Sequence, residues 1–364
     1  MPALMPTIYS CSERCQTLLW LVANNRFDLL ASLVLNWLKE ILGGHSSEPT
    51  RTVNRRRIGV GNLCVILSTV GLLSGCSIRQ NAVNLIGDAL AGSGGVFASD
   101  DDPELIRQAL PFGLKIFESL LEVSPNHRGL LLATARGFTA YAYLIQNRAD
   151  RLDDADLREA QRLRARARRI FLRGRDYALR GVDARIPGFT AAFTLDRHAA
   201  LPQTTIDDLP YLYWAGTAWA GALSAAKNDP DLLINLPAAG ALVARVLQLD
   251  ESYDFGAAHE FFIAFEAGRP GGSNIRAREH YRRAVELSRG QRASVHLALA
   301  ESVAVKEQKL TEFRTLLETA LSIDASAYPA WRLPNTVAIE RAVWLQSRTQ
   351  ELFLEAENYR ENPS

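Results

Sequence analysis

The chain has 364 residues, a formal net charge of +1, 48% hydrophobic residues and 22% charged ones. That balance excludes a global field that would draw nucleic acid or an acidic partner. Cys11, Cys15 and Cys64 all precede Cys76 and no cysteine follows it, so the long C-terminal part has neither a disulfide framework nor a thiolate metal site.

In chain order, residues 1–52 come first. Leu18 to Leu42 is leucine-rich but interrupted by Asn24, Asn25, Arg26 and Asp28, which reads as an amphipathic helix rather than a membrane span. Val53-Asn54-Arg55-Arg56-Arg57 is basic, and an apolar run from Leu63 to Leu73 follows, broken by Ser68, Thr69 and Gly71. The run is shorter than the roughly 20 residues a spanning helix needs and has the length of a secretory signal core. Leu73-Ser74-Gly75-Cys76 resembles a bacterial lipobox, in which small residues fit the peptidase and the cysteine thiol takes the lipid. Residues 53–75 are therefore expected to be a lipoprotein signal peptide and Cys76 the lipidated N-terminus of the mature protein. Residues 1–52 then read as a mis-called start, with a genuine N-terminal extension as the alternative. Ser77, in place of the aspartate linked to inner-membrane retention, favours delivery to the outer membrane.

Residues 76–99 read as a tether with a short helix, Val83, Ile86 and Leu90 sharing one face. The Gly92-Ser93-Gly94-Gly95 cluster lacks the spacing of a phosphate loop. Residues 100–355 read as helices almost without pause. Asp102-Pro103-Glu104 starts one that runs to Val123, with Asp as cap and Pro in the first turn. A second begins near Arg128, and a third spans about Ala155 to Arg180. The third carries Arg158, Arg162, Arg164, Arg166, Arg168, Arg169, Arg173, Arg175 and Arg180, without an aromatic platform among them on which bases would stack. Nearby Asp153, Asp154, Asp156 and Glu159 can pair with them, so this is a solvated or inter-subunit face. Residues 184–209 read as an irregular connection able to line or cover a cavity. Helices resume at Tyr211, Leu236, Phe255, Ala277, Ala293, Glu312 and Asn335, the last reaching about Glu355. Residues 356–364 form a tail.

Small and large residues recur at fixed offsets. Gly113, Phe117, Leu120 and Pro125 keep the spacing of a tetratricopeptide second helix. So do Ala239, Val243, Val246 and Glu251, then Ala277, Tyr281, Ala284 and Arg289, then Phe313, Leu317, Ala320 and Ala325. The last three units are close to the period of about 34 residues. The expected fold is all-α: degenerate tetratricopeptide-like helix pairs forming a compact or curved α-solenoid.

Catalytic patterns are missing. His259-Glu260-Phe261-Phe262-Ile263 begins like a zinc-protease helix, but Ile263 stands where the second ligand belongs. No nucleophile elbow or Walker loop occurs. Asp100-Asp101-Asp102 lacks the ligand ladder of a calcium loop and reads as a cap with an acidic lead-in. No enzyme activity, cofactor or metal is expected.

The run Phe97-Ala98-Ser99-Asp100-Asp101-Asp102-Pro103-Glu104-Leu105 continues through Ala109-Leu110-Pro111-Phe112-Gly113-Leu114-Lys115, Glu118-Ser119-Leu120-Leu121 and Ser124-Pro125. With Gly137-Phe138, Tyr141-Ala142-Tyr143, Leu212-Tyr213-Trp214, Arg269-Pro270-Gly271-Gly272 and Ala277-Arg278-Glu279-His280-Tyr281, it closely resembles the T-component of tripartite ATP-independent periplasmic (TRAP) transporters, a family of tetratricopeptide-like lipoproteins. The resemblance implies a periplasmic, all-helical protomer with a hydrophobic cavity or pore, assembled as a homotrimer. It also implies docking to a periplasmic substrate-binding protein of the transporter and a small apolar or amphipathic ligand. Independently, Tyr141, Tyr143, Tyr211, Tyr213, Trp214 and Trp219 exceed what a helix pair needs for its own packing. Tyr141, Tyr143, Trp214, Phe262 and Phe265 are the candidate ligand-binding residues. The alternative is a surface-anchored protein-interaction scaffold without a small ligand.

Overall fold

A computed structural model describes residues 83–88, 94–152, 155–226 and 234–354. All of them lie within one compact unit, Thr69–Ser364. Residues 1–52, the expected signal peptide, Cys76 and the tail at 356–364 lie outside the described residues. Every regular element among the described residues is helical.

Helix α1, Pro103–Val123, starts where the acidic triplet predicts. The Asp102 side chain accepts from the backbone N–H groups of Glu104 and Leu105, and Pro103 occupies the first turn. Asp100 accepts from the Asp102 N–H at 2.8 Å, so two of the three aspartates serve the turn. Ile106, Leu110, Leu114 and Leu121 are buried at helical spacing. Helix α2, Arg128–Leu152, and helix α3, Leu157–Asp183, follow and pack along their lengths. The small residues Ala160, Ala167, Gly174, Ala178 and Gly181 are buried on α3 and let the neighbours approach. At Gly181 a Cβ would stand 2.1 Å from Tyr211 Cδ1, so only glycine fits there.

The arginines of α3 are mostly engaged within the fold. Arg162 pairs with Glu159, Arg164 with Asp150, Arg173 with Glu118 and Arg175 with Asp176. Arg166 donates to the Tyr141 hydroxyl, and Arg180 lies over the Tyr177 ring.

The connection at 184–209 is more ordered than its prolines predict. It folds into short helices, Phe189–Leu195 and Arg197–Ala200, and two 3-10 turns. Phe189 and Phe193, one turn apart, are buried and stacked, and Asp196 caps the second short helix. A fully buried carboxylate, Asp208, pins the end of the segment. It accepts from Arg128 at 3.1 Å, from Arg185 Nε at 2.6 Å and from the Thr205 N–H at 2.9 Å. Burying a carboxylate is tolerated when its oxygens are satisfied in this way.

The remaining long helices are α4 (Leu209–Ser224), α5 (Leu236–Leu249), α6 (Ala257–Gly268) and α7 (Asn274–Ser288). Then come α8 (Ala293–Leu299), continued by a π turn at Ala300–Ala304, α9 (Leu310–Leu321) and α10 (Arg332–Ser347). Each packs on its chain neighbour. Ala277, Ala284 and Ala320, expected at close helix contacts, are completely buried. Gly113, given the same role in the first unit, faces open space. There the close approach comes from the partner helix, where Leu114 of α1 seats against Gly137 of α2. The last long helix starts at Arg332 rather than Asn335, because a 3-10 turn at Pro329–Trp331 leads directly into it, and it ends at Ser347 rather than near Glu355, with a separate short helix at Thr349–Leu352.

The path returns to its beginning. Helix α10 packs against α1 and the short helix Gly94–Ala98, and Leu333 joins the cluster formed by Ile106, Leu110 and Tyr141. Arg332 donates to the Ser99 carbonyl at 3.4 Å, and Arg151 lies 3.3 Å from Glu340. This return sets Arg341 of α10 against α2 and the π turn, while α4 packs on α2 and α6 on the π turn.

Candidate functional site

Arg136, Tyr143, Asn147 and Asp150 follow one another on α2 at intervals of two, one and one helical turns, which puts them on one face. Arg341 of α10 meets this face. Its Nη1 donates to Asn147 Oδ1 at 2.7 Å and to Asp150 Oδ2 at 3.1 Å. Its Nε and Nη2 form a fork on Glu301 at 2.6 and 2.7 Å. Glu301 sits in the π turn, where the Val305 N–H reaches back to the Ala300 carbonyl. The extra residue in such a turn re-aims the side chains it carries. Burial by itself would lower the Arg341 pKa, but the hydrogen bonds and charge of Glu301 more than offset it and raise it.

The other wall is aromatic. The Tyr213 ring lies 5.4 Å from Trp214 and 5.5 Å from Tyr253, measured between centroids. Tyr253 begins the turn between α5 and α6, where Asp254 and Phe255 have left-handed φ values of 43° and 56°. Non-glycine residues hold that conformation only against resistance. Arg292 braces it by donating to the Asp254 carbonyl at 2.8 Å and approaching its carboxylate at 3.4 Å. Arg292 also lies 3.3 Å from Glu260. Burial opposes the Arg292 charge, and Glu260 followed by Asp254 reverses this and raises its pKa. Burial, with a smaller contribution from the Glu260 charge, pushes the hydroxyl pKa values of Tyr143 and Tyr213 up.

Tyr143 is 44% exposed, yet desolvation pushes its hydroxyl pKa up. Both hold where the accessible surface faces a recess walled by protein rather than open solvent. Tyr213, only 8% exposed, is raised for the same reason. Several polar atoms here are buried without a hydrogen-bond partner: Arg136 Nε, Asn147 Nδ2, Trp214 Nε1 and Thr217 Oγ1. The Arg136 guanidinium carbon is 5.9 Å from the centre of the Trp214 ring. Among the described residues no carboxylate lies within ion-pair distance of Arg136.

Of the five residues expected to bind a ligand, the structure brings Tyr143 and Trp214 to this recess. Tyr141 is buried with Ile106, Leu110 and Phe138, its hydroxyl accepting from Arg166 at 2.7 Å. Phe262 is buried and stacks on His280, and Phe265 stacks on Phe261 with its ring edge against Gly240. Sequence reasoning missed Arg136, Asn147, Glu301, Arg292 and Arg341. The stripe from Arg136 to Asp150 was visible as a spacing, but a polar stripe on a helix ordinarily faces solvent.

The His259-Glu260 pair does not assemble a metal site. His259 Nδ1 is 2.9 Å from His280 Nδ1, and His259 Nε2 is 3.3 Å from Glu251 Oε2. The carboxylate only accepts, so His259 donates through Nε2–H and accepts at Nδ1 from the His280 Nδ1–H. Among the described residues no group of three potential metal ligands occurs, and no helix is long and apolar enough to cross a membrane.

The arrangement is a recess with aromatic walls and polar groups that lack partners, suited to holding a molecule with an apolar body and a polar end. An uncharacterized protein of Treponema pallidum (strain Nichols) is 29% identical over 314 residues, covering 80% of this chain and 97% of that relative. A family model described as the TRAP transporter T-component matches residues 99–353, from just before the first long helix to beyond the last. This chain belongs to the TRAP transporter T-component family.

Proposed function

We propose that this T-component holds a small amphipathic ligand in the recess and exchanges it with a periplasmic substrate-binding protein of its transporter. The observation that carries the reading is the set of buried polar atoms without partners beside the accessible Tyr143 ring. Packed interiors satisfy their polar atoms, so such a set is fitted to something that enters. In this reading the helices are degenerate tetratricopeptide-like pairs in a curved stack, and the protomers form a homotrimer. Cys76 carries the lipid that tethers the domain in the periplasm, with the outer membrane favoured by Ser77. The protein performs no catalysis and uses no cofactor.

The test is native mass spectrometry and lipid extraction of full-length protein purified from membranes. A bound small molecule is expected, released on denaturation, together with a diacyl or triacyl modification on Cys76. In-cell crosslinking is expected to capture the substrate-binding protein. Recovery of a ligand-free protein that still captures partners supports the surface-anchored scaffold instead. An unmodified chain beginning at Met1 overturns the lipid anchor.

A further inference from the structure

We infer that the outward face of α1, with the short helices just before it, rests on the membrane that holds the lipid of Cys76. This rests on the Cys76 anchor proposed above. Among the described residues, Leu85, Ile86, Val96, Leu105, Phe112 and Ile116 are all exposed within one short stretch of chain, Phe112 by 75%. Exposed large apolar residues are ordinary when scattered singly, whereas a contiguous set marks a surface that meets something apolar. On α1 the set is ordered. At about 100° per residue, Leu105, Ala109, Phe112 and Ile116 fall within about 60° of one another. All four are exposed, and Gly113 beside them faces open space. The charged residues of the helix, Glu104, Arg107, Lys115, Glu118 and Glu122, fall in a separate sector of about 80°. There Arg107 pairs with Glu104 and Lys115 with Glu118. The outward stripe therefore carries no charge although it is exposed.

The chain that precedes this face identifies its occupant. Val83 is the seventh residue after Cys76, so the turn of helix at 83–88 begins within about 25 Å of the lipid however extended the link is. That turn is fixed to the body of the fold. Ser124 donates to Asn84 Oδ1 at 2.7 Å, and a Cβ on Gly87 would stand 2.9 Å from Leu130 Cδ1. Leu85 and Ile86 lie on the other side of the turn and are exposed. Ser124 is also the C-cap of α1, so the tether leaves beside the end of the apolar stripe. A link this short keeps the stripe next to the bilayer. The bilayer interface takes up apolar side chains of a helix lying along it without needing a complementary shape. Lys115, 71% exposed at the edge of the stripe, has a stem long enough to leave its ammonium among the head groups.

The experiment uses the mature lipoprotein, purified from membranes and reconstituted into vesicles of phosphatidylethanolamine and phosphatidylglycerol with nitroxide-labelled acyl chains. No cysteine follows Cys76, so Phe112→Cys introduces a single free thiol for a nitrobenzoxadiazole fluorophore. The label at Phe112→Cys is expected to shift its emission to the blue on reconstitution and to lose most of it to the nitroxide lipid. Leu105→Cys should behave alike and carries the test if the first variant does not fold. The same label at Ile275→Cys, a position 72% exposed on α7, should do neither. Ile116→Asp is expected to reduce the quenching at Leu105→Cys several-fold while the protein still sediments with the vesicles. Being at an exposed position, it should melt within about 2 °C of the wild type. An unshifted and unquenched label at both α1 positions, on protein that sediments, overturns the assignment and leaves the Cys76 anchor standing. A blue shift that is present without vesicles, grows with protein concentration and resists the nitroxide lipid means that a second copy covers the face, and also overturns it. Protein that does not sediment and has an unmodified N-terminus brings down the anchor reading, and the membrane face with it.

Discussion

The C-terminal helices and the recess beside Tyr143 use the same kind of helix and differ in what their inward positions carry. Between α7 and α10 those positions are Ala277, Ala284, Ala300, Ala304, Ala320 and Ala342, all completely buried, with the Phe313 ring filling the space between them. Small residues let helix backbones approach until no gap is left. Around the recess the inward positions are Arg136, Tyr143, Asn147, Glu301 and Arg341. Long polar side chains meet here in hydrogen bonds and ion pairs, and some of their atoms lack partners. The first region is the one built for stability, and the proposed ligand site falls in the second.

The contrast breaks most visibly at Phe313. Phe313→Ala empties a closed site and is expected to cost about 3–5 kcal/mol in chemical denaturation. Overfilling the same region costs less. Ala284→Leu forces side chains off their rotamers for about 1–3 kcal/mol, seen as a melting temperature lower by several degrees. An unchanged melting curve would mean that α7 has room at Ala284, contrary to its burial.

Acid sharpens the comparison, because buried imidazoles lie in the packed region. Burial lowers the pKa values of His259, His280 and His296 below the ordinary 6.5, although the Glu251 carboxylate partly supports His259. The fold therefore favours their neutral forms. Their contribution is full above about 6.5, the unfolded-state value, and declines as pH falls from there through the lowered folded-state values. Protonating His259 would also set its Nδ1–H against the His280 Nδ1–H. Melting temperatures measured from neutral pH down through this window should fall, and a His259→Gln, His280→Gln double variant should flatten the decline.

The smallest effect on stability is expected in the recess. Tyr143→Ala removes a ring with much of its surface accessible and should cost less than about 1 kcal/mol, while lowering the amount of small molecule that co-purifies with the protein. A loss as large as that of Phe313→Ala would make Tyr143 an ordinary core residue and erase the distinction between the regions.

Much of the helical framework was legible residue by residue. Asp102 and Pro103 announced the first long helix, and the small residues at Ala277, Ala284 and Ala320 announced close contacts. These signals are local: a cap needs only the next three residues, and a buried stripe needs only its own helix. Gly113 shows where the pattern misleads, since the spacing says which residue is small and not which partner meets it. The connection at 184–209 was harder to read, because Asp208 orders it through Arg128 and Arg185, and its proline content gave no hint of that pairing.

The sequence by itself determined the all-helical class, the start of the first long helix and the family, because backbone capping and side-chain periodicity act over a few residues. Only the tertiary structure decided which polar side chains share a recess. Arg341, Glu301 and Asn147 are far apart in the chain and meet because α10 returns to the first helices. On paper each sits in a charged stripe that water could solvate. Once the path closes, water is largely withdrawn, Arg341 and Arg292 find carboxylates, and Arg136 is left without one.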